Sequence, residues 1–148
     1  MKWNAKLFEE LSTRELYEIV RARTEIFLME QRIICRDFDG VDYNALHCFL
    51  EQDGNIQAYL RAYPAKEGCV KIGRVLSIVH GKGLGVELMQ RAIPEICRRM
   101  PCRELVLHSQ QYAQGFYERF GFSVCSEPFV EENILHMEMR RDVSDFHN

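Results

Sequence analysis

Three alternating glycines stand between a strand pattern and a helix pattern, in the segment His80-Gly81-Lys82-Gly83-Leu84-Gly85. After them, apolar residues recur at steps of four from Leu84 to Ile96, and this spacing predicts a helix. Glycine lets the backbone approach a ligand closely, and the first amides of a helix have no internal hydrogen-bond partners. The junction is therefore a candidate phosphate cradle, to which Lys82 adds a positive charge.

Two familiar phosphate-binding patterns do not match this loop. A Walker loop requires Ser or Thr after its lysine, whereas Lys82 is followed by Gly83. A dinucleotide fingerprint requires a third glycine at the position where Leu88 stands. Taken alone, the loop is equally compatible with a flexible turn before a helix, and that alternative stays open.

Outward from this junction, the chain alternates between strand and helix patterns. Ser12 and Glu15 form a capping box, which starts the first long helix. Pro94 lies within the helix after the glycines, and we expect it to kink or split that helix. Predicted helices cover residues 13–28, from 84 onward and 113–120, and predicted strands cover residues 2–8, 46–51, 56–63, 69–77, 104–108, 122–125 and 135–140. The order β-α-β-β-β-α-β-α-β-β predicts an α/β domain with a mixed sheet.

Length and composition predict one domain that covers residues 1–148, with a frayed tail at residues 141–148. Hydrophobic residues make up 47% and charged residues 28% of the chain, which argues against a disordered chain or a coiled coil. The net charge of −3 lacks the basic footprint of a nucleic-acid-binding protein. We therefore expect no nucleic-acid partner.

The chain also lacks signals for membrane insertion and export. No apolar run reaches the roughly 18 residues of a membrane span, and residues 1–6 lack the apolar stretch of a signal peptide. We therefore expect a cytoplasmic protein with no membrane partner.

None of the six cysteines forms a CxxC pair, which argues against zinc-ribbon and thioredoxin sites, and we expect reduced, mostly buried thiols.

A third phosphate-binding pattern does match the glycine junction. In the GCN5-related N-acetyltransferase (GNAT) family, the segment Q/R-x-x-G-x-G/A binds the pyrophosphate of acetyl-CoA, and residues 80–85 resemble it. Gly83 and Gly85 occupy two fixed positions, whereas His80 stands where the family pattern has Gln or Arg. Residues 113–122 resemble a second family motif, A-x-x-F-Y-x-x-x-G-F. With two motifs in order and the same element order, the resemblance covers nearly the whole chain.

Further residues make the chain similar to the ElaA-like branch of this family. They are Phe27 to Gln31, Cys35, Asp39, Gly40, Asp42, His47, Lys71 to Val75, Gln110, Gln114, His136, Met139 and Arg140. The resemblance implies a mixed, mostly antiparallel sheet flanked by helices. It also implies direct transfer of an acetyl group from acetyl-CoA to a primary amine in a ternary complex, with no metal.

The resemblance implies that acetyl-CoA is a co-substrate held between the strands at residues 69–77 and 104–108. Tyr117 matches the family tyrosine that protonates the departing thiolate, and a tyrosine packed in the core is the alternative. The residues implied to contact the cofactor are Val75, Leu76, Ser77, His80, Gly81, Lys82, Gly83, Leu84, Gly85, Gln110 and Tyr117.

The general base stays open between Glu30 and His47, and His136 has a standing similar to that of His47. Glu30 matches an acidic position of the branch at the end of the first helix, and a solvated helix-end carboxylate is the alternative. His47 can accept a proton near neutral pH, although a lone histidine is more often structural. With Gln31 and His136, these two residues are also the candidates for binding the acceptor, which is a small-molecule or peptide amine.

Two acidic clusters have weaker functional interpretations. Residues 37–42 lack the glycine and glutamate positions of an EF-hand, so we reject a calcium loop. They either cap a loop or form an acidic rim that attracts a cationic amine, and Glu131 with Glu132 either share that rim or form a solvated turn. A non-catalytic acyl-CoA-binding module, an interaction protein with the same fold and a homodimer through exposed sheet edges stay open as alternatives.

Overall fold

A computed structural model describes residues 1–147 of the chain. Eight strands form one sheet, namely β1 (Lys2–Leu7), β2 (Leu46–Gln52), β3 (Asn55–Pro64), β4 (Cys69–Ser77), β5 (Glu104–Gln110), β6 (Ser123–Val124), β7 (Phe129–Glu131) and β8 (Ile134–Asp142). The helices are α1 (Thr13–Arg23), α2 (Leu84–Arg99) and α3 (Gln114–Glu118). The sheet order is β1-β2-β3-β4-β5-β8-β6, and β7 pairs with β8. Among the described strands, β4 and β5 run parallel and the other pairs are antiparallel, which confirms the predicted fold class.

The first helix begins where the capping box predicts. Ser12 Oγ accepts a hydrogen bond from the backbone N–H of Glu15 at 3.0 Å, and the Glu15 carboxylate accepts one from the Ser12 N–H at 2.8 Å. After α1 the helix widens into π-helical turns at Thr24–Glu30, so it ends two residues beyond the prediction. Ile19 and other apolar residues of this helix pack on one face of the sheet and close its smaller core.

The second helix covers the opposite face of the sheet, where the larger core lies. It runs without interruption from Leu84 to Arg99, so the expectation that Pro94 splits it is wrong. Pro94 lies on the exposed side, where water can hydrate the Gln90 carbonyl that loses its usual donor. Ile93 and Ile96 are buried on the other side and hold both halves of the helix against the sheet.

The C-terminal part differs most from the prediction, because β7 was not expected. Glu132 and Asn133 have φ values of +51° and +62°, and they form the tight turn that joins β7 to β8. The expected frayed tail is corrected as well, since β8 continues through Asp142. Val143 is then fully buried, and its N–H donates to the Arg103 carbonyl at 2.8 Å. Asn148 lies outside the described residues.

Strands β4 and β5 diverge along their length. They pair from Cys69–Ile72 to Glu104–Leu107 and no further. Beyond that point β4 stays paired with β3 alone, and β5 stays paired with β8 alone. Each strand therefore has one backbone edge without a strand partner, and the space between the two edges opens a cleft.

Two further features bear on the expectations about membranes and thiols. Within residues 1–147, no helix combines the length and the apolar character that a membrane crossing requires. The six cysteines are unpaired, and the prediction that most are buried is confirmed by Cys48, Cys69, Cys97 and Cys102.

Candidate active site

A cleft of about 440 Å³ lies where β4 and β5 diverge. Its walls come from β3, β4, β5, α3, the loop after the first helix and the hairpin of β7 and β8. Among the predicted site residues, those that line the cleft are Gln31, Val75, Gln110, Tyr117 and His136. The remaining predicted site residues lie around it or away from it, as described below.

Strand β4 carries a β-bulge beside the cleft. Arg61 pairs with Gly73 and Tyr59 pairs with Leu76, so the segment of β4 between these pairs has one more residue than the opposite segment of β3. Arg74 lies in this bulge with a φ of +52°, a left-handed conformation that is uncommon outside glycine. The unpaired edge of β4 can therefore present N–H and C=O groups from Val75 onward to an extended ligand.

The glycine junction opens α2 as the sequence predicts. Gly81 and Gly83 have φ values of +78° and +73°, and Gly83 is the N-cap of α2. A Cβ at Gly85 would lie 3.3 Å from Cζ of Phe116, so glycine at this position lets the start of α2 pack closely against α3. The first amides of a 16-residue helix are free to meet an anion here. The assignment of this loop to a pyrophosphate stays a prediction.

Glu30 lies beside the glycine junction and does not line the cleft. Its Oε1 atom is 2.7 Å from Nε2 of His80, and both side chains are largely in solvent. The contact ties the end of the first helix to the loop that precedes α2. This position gives no support to the expected role of Glu30 as a base or acceptor ligand.

Tyr117 projects from α3 into the cleft and is 9% exposed. Its hydroxyl makes no hydrogen bond with any residue that the structure describes. Burial raises the pKa of the Tyr117 phenol above its ordinary value, so the group stays protonated near neutral pH. The side chain thus combines both expectations, because the ring belongs to the larger core while the hydroxyl remains available to a ligand.

His47 is a structural residue, which corrects its expected role as base or acceptor ligand. It is fully buried on β2, with Nδ1 2.7 Å from the Tyr59 hydroxyl and Nε2 3.0 Å from the Asp42 carbonyl oxygen. Because a carbonyl only accepts, Nε2–H donates to Asp42, and Nδ1 then accepts from Tyr59. Burial lowers the pKa of His47, which keeps the ring neutral. Both nitrogens are therefore occupied inside the protein.

Three arginines neutralise the acidic segment at residues 37–42. The ion pairs are Arg23 with Asp37 and Asp42, Arg61 with Asp39 and Asp42, and Arg74 with Asp37 and Asp39. Burial alone would raise the pKa of Asp39, but the hydrogen bonds from Arg61 and the Val41 N–H, together with the charges of Arg61 and Arg74, outweigh it and lower the value to about 2. The expected acidic rim is thus corrected, because these carboxylates hold the loop on the sheet and are not free to attract an amine.

The opposite side of the cleft carries a polar cluster of Lys71, His108, Glu131 and His136, here called the polar wall. Nδ1 of His108 is 2.9 Å from Oε1 of Glu131 and 3.3 Å from Nζ of Lys71. Nε2 of His136 is 3.9 Å from Oε2 of Glu131. The hydrogen bond from His108 lowers the pKa of Glu131, so this carboxylate is ionised near neutral pH. Within residues 1–147, no group of three or more His, Cys, Asp or Glu side chains is arranged to hold a metal ion.

Part of the polar wall could be predicted from the sequence. His108 and Gln110 are two residues apart on β5, and a strand period of two places them on one face. His136 joins that face because it lies opposite Gln110 in the register of β5 and β8. Gln110 also donates to Oε1 of Gln31 at 3.2 Å, which connects the wall to the end of the first helix. The sequence offered Glu131 only as part of an acidic rim, and its place beside these histidines could not be predicted because it depends on the three-residue strand β7.

Comparisons with known proteins agree with this geometry. Residues 27–143 match the family model of the acetyltransferase (GNAT) domain. A protein of Schizosaccharomyces pombe is 34% identical over 93% of this chain and 95% of its own length. Protein ElaA of Escherichia coli is 29% identical over 97% of both chains.

Solved structures give the same result. The crystal structure of an acyl-CoA N-acyltransferase from Pseudomonas aeruginosa superposes with a TM-score of 0.89 at 36% identity, over 95% of this chain and 99% of its own. The crystal structure of Escherichia coli ElaA superposes with a TM-score of 0.88 at 28% identity, with the same coverage of both chains.

Proposed function

The chain belongs to the GNAT acetyltransferase family, ElaA-like branch, and on this premise we propose that it transfers an acetyl group from acetyl-CoA to a primary amine. One observation carries the proposal, namely the divergence of β4 from β5 into a cleft lined by Tyr117. The acceptor that we propose is a small-molecule or peptide amine. The cytoplasmic location expected from the sequence stays a prediction.

The residues around the cleft fit the parts of acetyl-CoA. The pantetheine arm carries amide groups, which suit the unpaired edge of β4 at Val75, Leu76 and Ser77 in the manner of an added strand. The pyrophosphate suits the glycine junction, where α2 offers free amides and Lys82 adds a charge. Acetyl-CoA supplies a thioester, whose carbonyl carbon receives the amine and whose sulfur departs as a thiolate.

Two groups of the chain act on the charges that develop during transfer. Backbone N–H groups near the β4 bulge polarise the thioester carbonyl while negative charge grows on its oxygen. Tyr117 donates a hydrogen bond from its unpartnered hydroxyl to the departing sulfur. Because an ordinary thiol has a pKa of about 8.5, below that of a phenol, this donor stabilises the thiolate without transferring its proton completely.

The experiment is a screen of purified protein with acetyl-CoA against amines of different classes, including aminoglycosides, polyamines, amino acids and peptides. Acetylated product is detected by mass spectrometry, since the exposed Cys125 would react with reagents for released thiol. We expect at least one amine to be acetylated faster than in a reaction without protein. No product with any amine, together with stabilisation by acetyl-CoA, would instead identify an acyl-CoA-binding module. If no amine is acetylated and acetyl-CoA does not stabilise the protein either, the chain would instead be an interaction protein with this fold.

A further inference from the structure

The hydrogen bond of His136 fixes the form of its ring. Nδ1 lies 2.8 Å from the carbonyl oxygen of Ile134, and a carbonyl oxygen can only accept, so Nδ1 carries a proton. In the neutral imidazole, Nε2 is therefore the atom with the free lone pair. The ring is held by stacking with Phe129, at a centroid distance of 6.2 Å and an interplanar angle of 23°. His136 is 7% exposed and lines the cleft.

Glu131 places a negative charge beside this lone pair. Its Oε1 atom is held by His108 at 2.9 Å, whereas Oε2 is 3.9 Å from Nε2 of His136, too far for a hydrogen bond. An ammonium nitrogen about 2.8 Å from both atoms would see them at an angle of about 90°, about 20° below the tetrahedral angle, so a bend of about 10° in each hydrogen bond lets two N–H groups reach them. The two atoms thus form a receptor for one primary ammonium group.

We propose that the ammonium group of the acceptor docks between Nε2 of His136 and Oε2 of Glu131, and that His136 is the base that removes its proton. This inference rests on the proposed acetyl transfer and adds the residue that activates the acceptor. Glu131 is a positioning residue that holds the ammonium and then stabilises the imidazolium. The hydrogen bond from Nδ1 of His108 at 2.9 Å holds Glu131 in place.

The step balances in protons and electrons. One N–H bond of the ammonium breaks, its electron pair stays on nitrogen, and the proton moves to Nε2 of His136. The free amine forms an N–C bond with the thioester carbonyl carbon, and the C–S bond breaks with its electron pair on sulfur. The second proton of the nitrogen passes to the thiolate, while His136 returns its proton to solvent. An amide, a thiol and one released proton are the products.

A matched variant distinguishes the role of His136 as a base from the structural role of its ring. In His136→Asn the amide nitrogen replaces Nδ1 and can still donate to the Ile134 carbonyl, whereas the atom at Nε2 is lost. The probes are 2-phenylethylamine, which is protonated at neutral pH, and O-benzylhydroxylamine, in which an oxygen replaces the CH2 next to the nitrogen and the amine is already neutral. We expect the variant to acetylate 2-phenylethylamine about 100-fold more slowly or worse, and O-benzylhydroxylamine within about 3-fold of the wild type. Equal losses on both probes, or no loss on either, would overturn the assignment.

A second measurement does not depend on turnover. In histidine 15N NMR of the resting protein, the proton of the neutral His136 ring should lie on Nδ1. Its Nε2 signal should move on titration with 2-phenylethylamine hydrochloride, and the shift should weaken at least several-fold in Glu131→Gln. A proton on Nε2 in the neutral ring, or an unmoved signal at saturating amine, would refute the proposal. If the signal moves while no amine is acetylated, the docking site stands and the proposed transfer fails.

Discussion

Replacing Arg23 with methionine removes the most buried cation of the loop network and keeps most of its length. Arg23 is 2% exposed, and its guanidinium donates to Asp42 at 2.7 Å and to Asp37 at 3.1 and 3.2 Å. Breaking a buried ion pair by removing one partner costs about 3–5 kcal/mol. Asp42 keeps Arg61 at 3.1 Å and Asp37 keeps Arg74 at 3.0 Å, so the lower end of this range, about 3 kcal/mol, is expected.

Urea unfolding at neutral pH measures this loss directly. The midpoint should fall while the m-value stays unchanged, because the same surface is exposed on unfolding. Arg21→Met is the matched control on the same helix, since Arg21 is mostly exposed and pairs with Glu18 at the surface. It should cost less than about 0.5 kcal/mol. If Arg23→Met costs less than about 1 kcal/mol, or no more than the control, the network does not hold the loop as argued.

Three further predictions concern the cleft and its surroundings. Tyr117→Phe removes the only polar atom of a core side chain, so it should slow acetylation by about 10-fold or more, leave the urea midpoint within about 0.5 kcal/mol of the wild type, and retain acetyl-CoA affinity in calorimetry. Asp39→Asn should cost about 1 kcal/mol at neutral pH, a free energy that is already reduced for the partial exposure of Asp39. The folded protein lowers the pKa of Asp39 from 3.8 to about 2, so this stabilisation is present above pH 3.8 and is lost as the pH falls through 2. An acid-unfolding curve that is unchanged in that window would contradict it. In Gly83→Ala the new Cβ meets no atom within 4 Å, but alanine is strained at a φ of +73°, so the variant should lose about 1 kcal/mol of stability. Gly115→Ala, inside α3, should not destabilise the protein. Equal urea midpoints for the two variants would contradict this reasoning.

Strong local patterns in the sequence predicted most of the fold. The capping box at Ser12 and the glycine junction each set an element boundary through the chemistry of a few neighbouring residues, and the structure has them in place. The matching motifs then identified the family, since two motifs in order are a far more specific signal than either alone. These features are local, so one sequence was enough to read them.

The candidate site was harder to predict, because it depends on contacts between distant segments. His47 looked like a base until the register of β2 and β3 brought it within 2.7 Å of Tyr59. The acidic segment at 37–42 looked like an open rim until arginines from α1, β3 and β4 met it. The three-residue β7 has no periodic signal, and with it the position of Glu131 was missed. In each of these cases the deciding contact came from another segment of the chain.

Thermal unfolding with and without acetyl-CoA tests the central claim, which is that the cleft between β4 and β5 binds this co-substrate. A ligand that binds only the native state stabilises it by about 2.7 kcal/mol at 100 times its dissociation constant. For a chain of this size, that corresponds to a rise in Tm of about 5–10 °C. We predict such a rise at millimolar acetyl-CoA, whereas an unchanged Tm at that concentration would contradict the account.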